Sequence, residues 1–106
     1  MSKYGNKITH IGKLKFDSRK EGRYYLYLRE LEKRGEIENL KLQVPFVLLP
    51  KIEDQRAVKY IADFVYDQNG ENVVVDVKSE ATRKKDAYIL KKKMMRALLG
   101  IKIVEV

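Results

Sequence analysis

Asp63, Asp76 and Lys78 are the residues of this chain whose types and spacing point to chemistry. They lie on two apolar runs, residues 60–67 and 72–79, that flank Asp67-Gln68-Asn69-Gly70-Glu71. Asn-Gly between such runs is the strongest short hairpin signal. A two-residue turn there would oppose Val65 to Val74, Phe64 to Val75 and Asp63 to Asp76. Opposed carboxylates on a sheet repel unless something positive sits between them. Side chains alternate along a strand, so Lys78 shares a face with Asp76. The hairpin would thus gather two carboxylates and an ammonium, and a divalent cation is the natural occupant of that cluster. Asp and Lys on a wet sheet are ordinarily solvated or paired in a surface salt bridge. Two features weigh against that reading. The runs are almost continuously apolar, as in strands covered on both faces, and Asp, which is depleted in strands, occurs mid-strand twice at matched positions.

Glu21 supplies a third carboxylate. Ser18-Arg19-Lys20-Glu21 matches the capping box at a helix start, where Glu21 would cap the backbone. On a helical wheel it also lies close to Tyr25 and Leu28, so it points with the apolar stripe toward the sheet. With Asp63 and Asp76 it would form an all-oxygen site suited to magnesium, with manganese as a substitute. Such a cation lowers the pKa of bound water, and the Lys78 ammonium would stabilise charge on a phosphate or position the water. The chemistry implied is phosphodiester hydrolysis.

The elements that must position these groups follow from periodicity. A helix starts at Asp17 or Ser18, carries Tyr24, Tyr25, Leu28 and Leu31 in one stripe, and stops at Arg34-Gly35. Residues 40–49 alternate as a strand, with Leu40, Leu42, Val44, Phe46 and Leu48 on one face. Pro45 argues for an edge position or a bulge. Residues 50–58 form a polar connection before the hairpin. A second helix is expected over 83–99, with Ala87, Leu90, Met94 and Leu98 in its stripe and Gly100 past its end. Residues 101–106 close the chain as a short strand, brought back parallel to its neighbour by the crossover. Residues 1–15 read as a flexible basic arm, and 16–106 as one α/β domain with a mixed sheet flanked by helices.

Composition narrows the function. Among 106 residues, 23 Lys and Arg against 15 Asp and Glu give a net charge of +8, which favours a polyanionic partner, nucleic acid above all. The absence of cysteine excludes a disulfide framework and a thiolate zinc site and fits a reducing cytosol. A lone His10 supports neither a multi-histidine site nor a Ser-His-Asp triad. No apolar run approaches the ~20 residues that span a bilayer, and residues 1–7 lack the apolar core of a signal peptide. A soluble, cytoplasmic protein with no membrane partner is expected.

Asp63, followed by Asp76-Val77-Lys78 on the next strand, resembles the PD-(D/E)xK nuclease motif, with Glu21 matching the acidic residue those enzymes often place on their first core helix. The resemblance runs from about residue 16 to the end of the sequence. It implies a restriction-endonuclease-like core in the order helix–three strands–helix–strand. It departs from the pattern at Ala62, where the eponymous proline would stand, and at Asp76, a position commonly held by Glu. More narrowly, Phe16-x-Ser18-x-x-Glu21, Leu42-Gln43, Tyr60-x-x-Asp63-Phe64-x-Tyr66 and Asp76-Val77-Lys78 resemble a small group of phage-encoded proteins similar to Holliday-junction resolvases. The resemblance implies a magnesium-dependent DNA endonuclease of phage recombination, acting in a bacterial host's cytoplasm on branched DNA. Glu21, Asp63, Asp76 and the Val77 carbonyl would hold the metal, and Lys78 would act as base or charge stabiliser. Two symmetric cuts in a junction would require a homodimer.

Secondary candidates complete the set. Gln43 would reach the metal's water or a phosphate, or else is a polar residue on a partly exposed strand. Lys91 would point into the site or snorkel to solvent. Arg83, Lys84, Lys85 and Lys92 would contact the DNA backbone or form a solvated helix face. Two alternatives to the resolvase reading stand: a non-catalytic nucleic-acid-binding module on the same fold, and a nuclease acting on RNA or linear DNA.

Overall fold

The central hairpin forms in the expected register. In the computed structural model, which describes residues 8–106, strands Val58–Gln68 and Glu71–Asp76 pair antiparallel, with Phe64 opposite Val75 and Val65 opposite Val74. Asn69 and Gly70 both take positive φ, 52° and 79°. That is the turn whose twist matches two right-twisted strands, and it suits Asn-Gly.

In chain order the elements are β1 (Thr9–Ile11), β2 (Leu14–Phe16), α1 (Arg19–Lys33), β3 (Glu38–Leu49), β4 (Val58–Gln68), β5 (Glu71–Asp76), α2 (Glu80–Arg83), α3 (Asp86–Leu99) and β6 (Val104–Glu105). Strands β3-β4-β5-β6 form a mixed sheet in that spatial order, antiparallel except for the parallel β5–β6 pair. β1 and β2 form a separate antiparallel ribbon. The protein is therefore α/β, with a mixed four-stranded sheet, a two-stranded ribbon and flanking helices. No described helix is long and apolar enough to cross a membrane. Pro45 lies on β3, an edge strand, where its missing amide donor costs no ladder bond on the open side.

The sheet is covered on both faces. Phe64 and Val75 pack with Leu28, Tyr24 and Tyr25 of α1, whereas Val65 and Val74, their immediate neighbours, pack with Tyr88 and Met95 of α3. Adjacent strand residues point to opposite faces, so α1 and α3 lie on opposite sides. This is why the 62–66 segment is buried without a break.

Three expectations change. Residues 40–48 do not keep one face. Leu40 and Leu42 join the α1 cluster, while Val44, Phe46 and Leu48 join the α3 cluster. Between them Gln43 has φ +52°, a left-handed conformation that reverses the alternation within the strand. β4 switches face at the matching place, since Ala62 packs with the α3 cluster and Phe64 with the α1 cluster. The pairs Leu42–Phe64 and Val44–Ala62 keep one register, so no residue is inserted.

The second helix is also different. Residues 80–83 form the separate turn α2, and α3 begins at Asp86. α3 buries Tyr88 and Met95, with Met94 partly buried, and leaves Leu90 and Leu98 59% and 53% exposed. Apolar residues occupy more than one side of this helix, and the sheet takes the side that carries the larger Tyr88 ring.

The expected basic arm divides. Residues 1–7 lie outside the described residues, and 9–16 form the ribbon rather than a flexible segment. Gly22 makes room for it on α1, because a Cβ there would stand 3.1 Å from the Thr9 methyl. Ile11 and Phe16 then pack into the α1 cluster.

Candidate active site

The N-terminus of α1 sets the first carboxylate. Ser18 caps the helix, its hydroxyl accepting from the Glu21 amide at 3.1 Å. Glu21 does not need to complete a capping box. Its Oε1 instead accepts from Gln43 Nε2 at 3.2 Å, and the residue is only 5% exposed. The side chain thus faces the sheet, as the helical wheel requires of a residue beside Tyr25 and Leu28.

Asp63 and Asp76 are braced by each other's strands. The Asp63 amide donates to Asp76 Oδ1 at 3.0 Å, and the Val77 amide donates to Asp63 Oδ2 at 2.8 Å. Both carboxylates are buried, Asp76 completely, and Asp76 Oδ2 has no hydrogen-bond partner among the described residues. A buried, unpaired carboxylate oxygen is unfavourable by a few kcal/mol, roughly 1–3, unless a ligand or ion meets it. Lys78 Nζ stands 3.7 Å from Asp76 Oδ1 and 5.4 Å from the centre of the Tyr88 ring.

The backbone around Lys78 is held from three sides. Its amide donates to the Val106 carbonyl at 3.3 Å, and the Val106 amide donates to the Asp76 carbonyl at 3.0 Å. Lys20 Nζ donates to the Lys78 carbonyl at 3.3 Å. Parallel pairing with β6 therefore fixes the Asp76-Val77-Lys78 segment just beyond the end of β5.

The electrostatics are those of a charge-poor hole filled with carboxylates. Burial, with Asp63 next to it, pushes Glu21 up to about 7, against 4.5 for a free glutamate. Burial also raises Asp63, opposed by the Val77 amide and the Lys78 ammonium, and it raises Asp76, opposed chiefly by Lys78. Gln43 reaches Asp63 as well as Glu21 and favours its ionised form. One strained residue thereby links the helix carboxylate to the strand carboxylate. A non-glycine residue in this conformation costs on the order of 1–2 kcal/mol, and such strain concentrates at functional sites.

Glu21, Asp63, Val77 and Lys78 line one cavity of about 200 Å³, together with Asp17, Lys20 and Thr82 among others. Asp76, completely buried, is not among its lining residues. Among the described residues no three acidic or histidine side chains form a ready cage for an ion. The carboxylates are neighbours rather than a finished coordination sphere. As a donor set they still fit a hard divalent cation: oxygen only, mutually repelling, and with one buried oxygen unpaired.

The structure thus brings Glu21, Gln43, Asp63, Asp76, Val77 and Lys78 together. Lys91 lies outside this cavity, in the wall of a neighbouring one that also contains Lys78 and Lys85. Lys92 is held by Glu105 at 2.9 Å, and Arg83 donates to the Val106 carbonyl at 3.4 Å. Lys84 is exposed. Asp17, Lys20 and Tyr88 belong to the site without having been expected there. Asp17 and Lys20 flank the cap and Glu21, so their position beside the site was open to reading from the helix start. Tyr88 depended on which side of α3 meets the sheet.

No curated protein and no solved structure matches the chain. The model of the family described as "Protein of unknown function (DUF1064)" matches residues 1–102, and the chain belongs to that family.

Proposed function

We propose that this protein is a metal-dependent nuclease of PD-(D/E)xK type on a restriction-endonuclease-like core, cutting phosphodiester bonds in DNA, with branched junctions as the preferred substrate. The observation that carries the reading is the cross-braced pair Asp63–Asp76. Two buried carboxylates face one another across a hairpin, one of their oxygens is unpaired, and a lysine stands 3.7 Å away. A buried carboxylate oxygen ordinarily has a hydrogen-bond partner, so the unpaired Asp76 Oδ2 supports a ligand at this site.

Glu21, Asp63, Asp76 and the Val77 carbonyl would hold magnesium or manganese, which supplies Lewis acidity and a more acidic bound water. The chain's own residues do the rest. Asp76 anchors the Lys78 ammonium, which addresses the negative charge that develops on the phosphate. Gln43 holds Glu21 in place, and the Val77 amide holds Asp63. The Tyr88 ring and the surrounding apolar walls keep Lys78 from being fully solvated, which strengthens its field at the phosphate. The net charge of +8 draws in the polyanion.

The test is cleavage of a labelled four-way DNA junction beside its linear duplex arms, a single strand and an RNA duplex. Each is run with magnesium, manganese or EDTA, using wild type, Lys78→Ala and Asp76→Asn. Metal-dependent cutting that both substitutions abolish is expected, with the junction cut fastest and as a symmetric pair of nicks by a dimer. Tight binding without cutting under any metal would sink the catalytic reading and leave a binding module.

A further inference from the structure

A second cavity, about 350 Å³, opens on the other flank of Lys78. Its wall carries Lys59 from β4, Lys85 from the turn before α3, Lys91 from α3, and the rings of Tyr60 and Tyr88. Lys78 and Thr82 line both cavities, so the two share a wall. No acidic residue lines the second one.

Four ammonium groups around one hollow repel one another, and three of them have nothing to offset it. Lys59, Lys85 and Lys91 form no ion pair or side-chain hydrogen bond among the described residues, while Lys78 alone has Asp76. Ordinary surface lysines would also lie free in water. Two further features separate this place from an ordinary surface. Tyr60 is 4% exposed, yet its hydroxyl is buried with no partner among the described residues. A buried hydroxyl normally finds a partner, and leaving it unpaired is unfavourable. The N-terminus of α3 also borders the cavity through Ala87 and Tyr88, and its cap residue Lys85 makes no side-chain capping bond. The first-turn amides of this 14-residue helix receive no side-chain cap from Lys85, and Asp86 is the acidic residue of that turn. The lysines, the unpaired hydroxyl and the helix N-terminus favour an anion, while the Tyr88 hydroxyl is already taken by Glu105; the exposed Ile61 on the rim offers apolar contact beside them.

We propose that this cavity is a second phosphate subsite, holding the backbone phosphate that neighbours the scissile one on the same nucleic-acid strand, with its sugar against Ile61 and Tyr60. The pairing with a scissile phosphate rests on the nuclease reading above; the binding of a backbone phosphate does not. Lys78, in the shared wall, sets the order of the two phosphates along the strand. The subsite thereby gives the cut a fixed strand direction without reading any base.

The test has two arms. Binding of a fluorescent duplex by the full chain in EDTA is followed by anisotropy over a range of salt concentrations. The triple variant Lys59→Gln, Lys85→Gln, Lys91→Gln is compared with Lys13→Gln, Lys33→Gln, Lys102→Gln, which removes the same charge from exposed positions elsewhere. The first triple is expected to bind about tenfold or more weakly at physiological salt, with the slope of log K against log salt shallower by about 2–3; the control should change far less. Tyr60→Phe is expected to weaken binding several-fold without lowering Tm. Equal losses in the two triples, or full binding by Tyr60→Phe, would overturn the subsite. In the second arm, cleavage is measured on strands with one neutral methylphosphonate at successive positions. Wild type should be slowed by a neutral linkage on one side of the cut only, and the first triple should be indifferent to it. Symmetric sensitivity overturns the strand polarity. Failure of every substrate to be cut would overturn the nuclease reading, while the anisotropy arm still decides the phosphate subsite.

Discussion

Asp63 and Asp67 stand on the same strand, one at each end of the hairpin's paired region, and their circumstances are opposite. Asp67, near the turn, accepts from Asn39 Nδ2 at 2.9 Å and from Asn72 Nδ2 at 3.1 Å, and these bonds hold its carboxyl below the usual range. Asp63 and its partner Asp76 are buried, their pKa values are raised by that burial, and one oxygen is unpaired. Asp67 lies where two neutral side-chain amides satisfy it, so it serves the turn. Asp63 lies where the sheet is covered on both faces and where the Lys78 ammonium is shared with Asp76. The same residue type meets opposite surroundings within four residues of one strand, satisfied at Asp67 and left short of partners at the Asp63–Asp76 pair.

Several substitutions would break or sharpen that contrast. The largest effect is expected for Asp76→Asn, which should reduce metal-dependent cleavage by about 10³-fold or more, whereas Asp67→Asn should leave it within about twofold. Equal losses in a cleavage assay would erase the distinction. Lys78→Ala should reduce the cleavage rate by about 10²–10³-fold, a loss much larger than its loss in DNA binding, as expected for a group that acts on developing charge. Gln43→Gly relieves the left-handed strain but removes both side-chain links, so cleavage should fall by about 10- to 100-fold while Tm changes by only a few degrees. A fall in Tm that matches the fall in rate would make Gln43 a folding residue.

The pH dependence comes next in size. Glu21 binds its proton more tightly in the folded protein, at about 7, than in the unfolded chain near 4.5. The metal-free fold therefore holds more protons in that window and loses stability as pH rises from 4.5 to about 7. Glu21→Gln should raise the Tm of the EDTA-treated protein by about 5 °C at alkaline pH and leave it unchanged in acid. Magnesium should stabilise wild type more at alkaline than at acid pH, because it meets the same carboxylates. Thermal scans with and without metal check both. The smallest effect belongs to the other end: Asp67→Asn should lower Tm slightly near neutrality and not at all in strong acid, where the wild-type carboxyl is itself protonated.

Much of the site was legible because its register depends on short-range signals. Asn69-Gly70 admits one tight turn, and that turn sets Phe64 opposite Val75, which brings Asp63 within hydrogen-bond reach of Asp76. Ser18 marks the start of α1, which fixes the side on which Glu21 projects. The face of α3 was not legible, since Leu90 and Leu98 satisfy helical periodicity as well as Tyr88 and Met95 do. Only the packing partner decides between them. The reversal at Gln43 has no local signal either, because glutamine has no special tolerance for positive φ; the conformation accompanies the hydrogen bond its side chain makes to Glu21. β1 and β2, of three residues each, are too short to show a period and exist through their contact with α1 at Gly22.

The pairing of β6 with the segment after β5 has a consequence for biosynthesis. The Lys78 amide donates to the Val106 carbonyl, while its carbonyl is held by Lys20 and its ammonium by Asp76. A nascent chain still held at the ribosome with residues 101–106 in the exit tunnel could assemble the hairpin and α1, but could not fix Lys78. If the proposed nuclease reading holds, competence to cut would arrive only once β6 has docked beside β5.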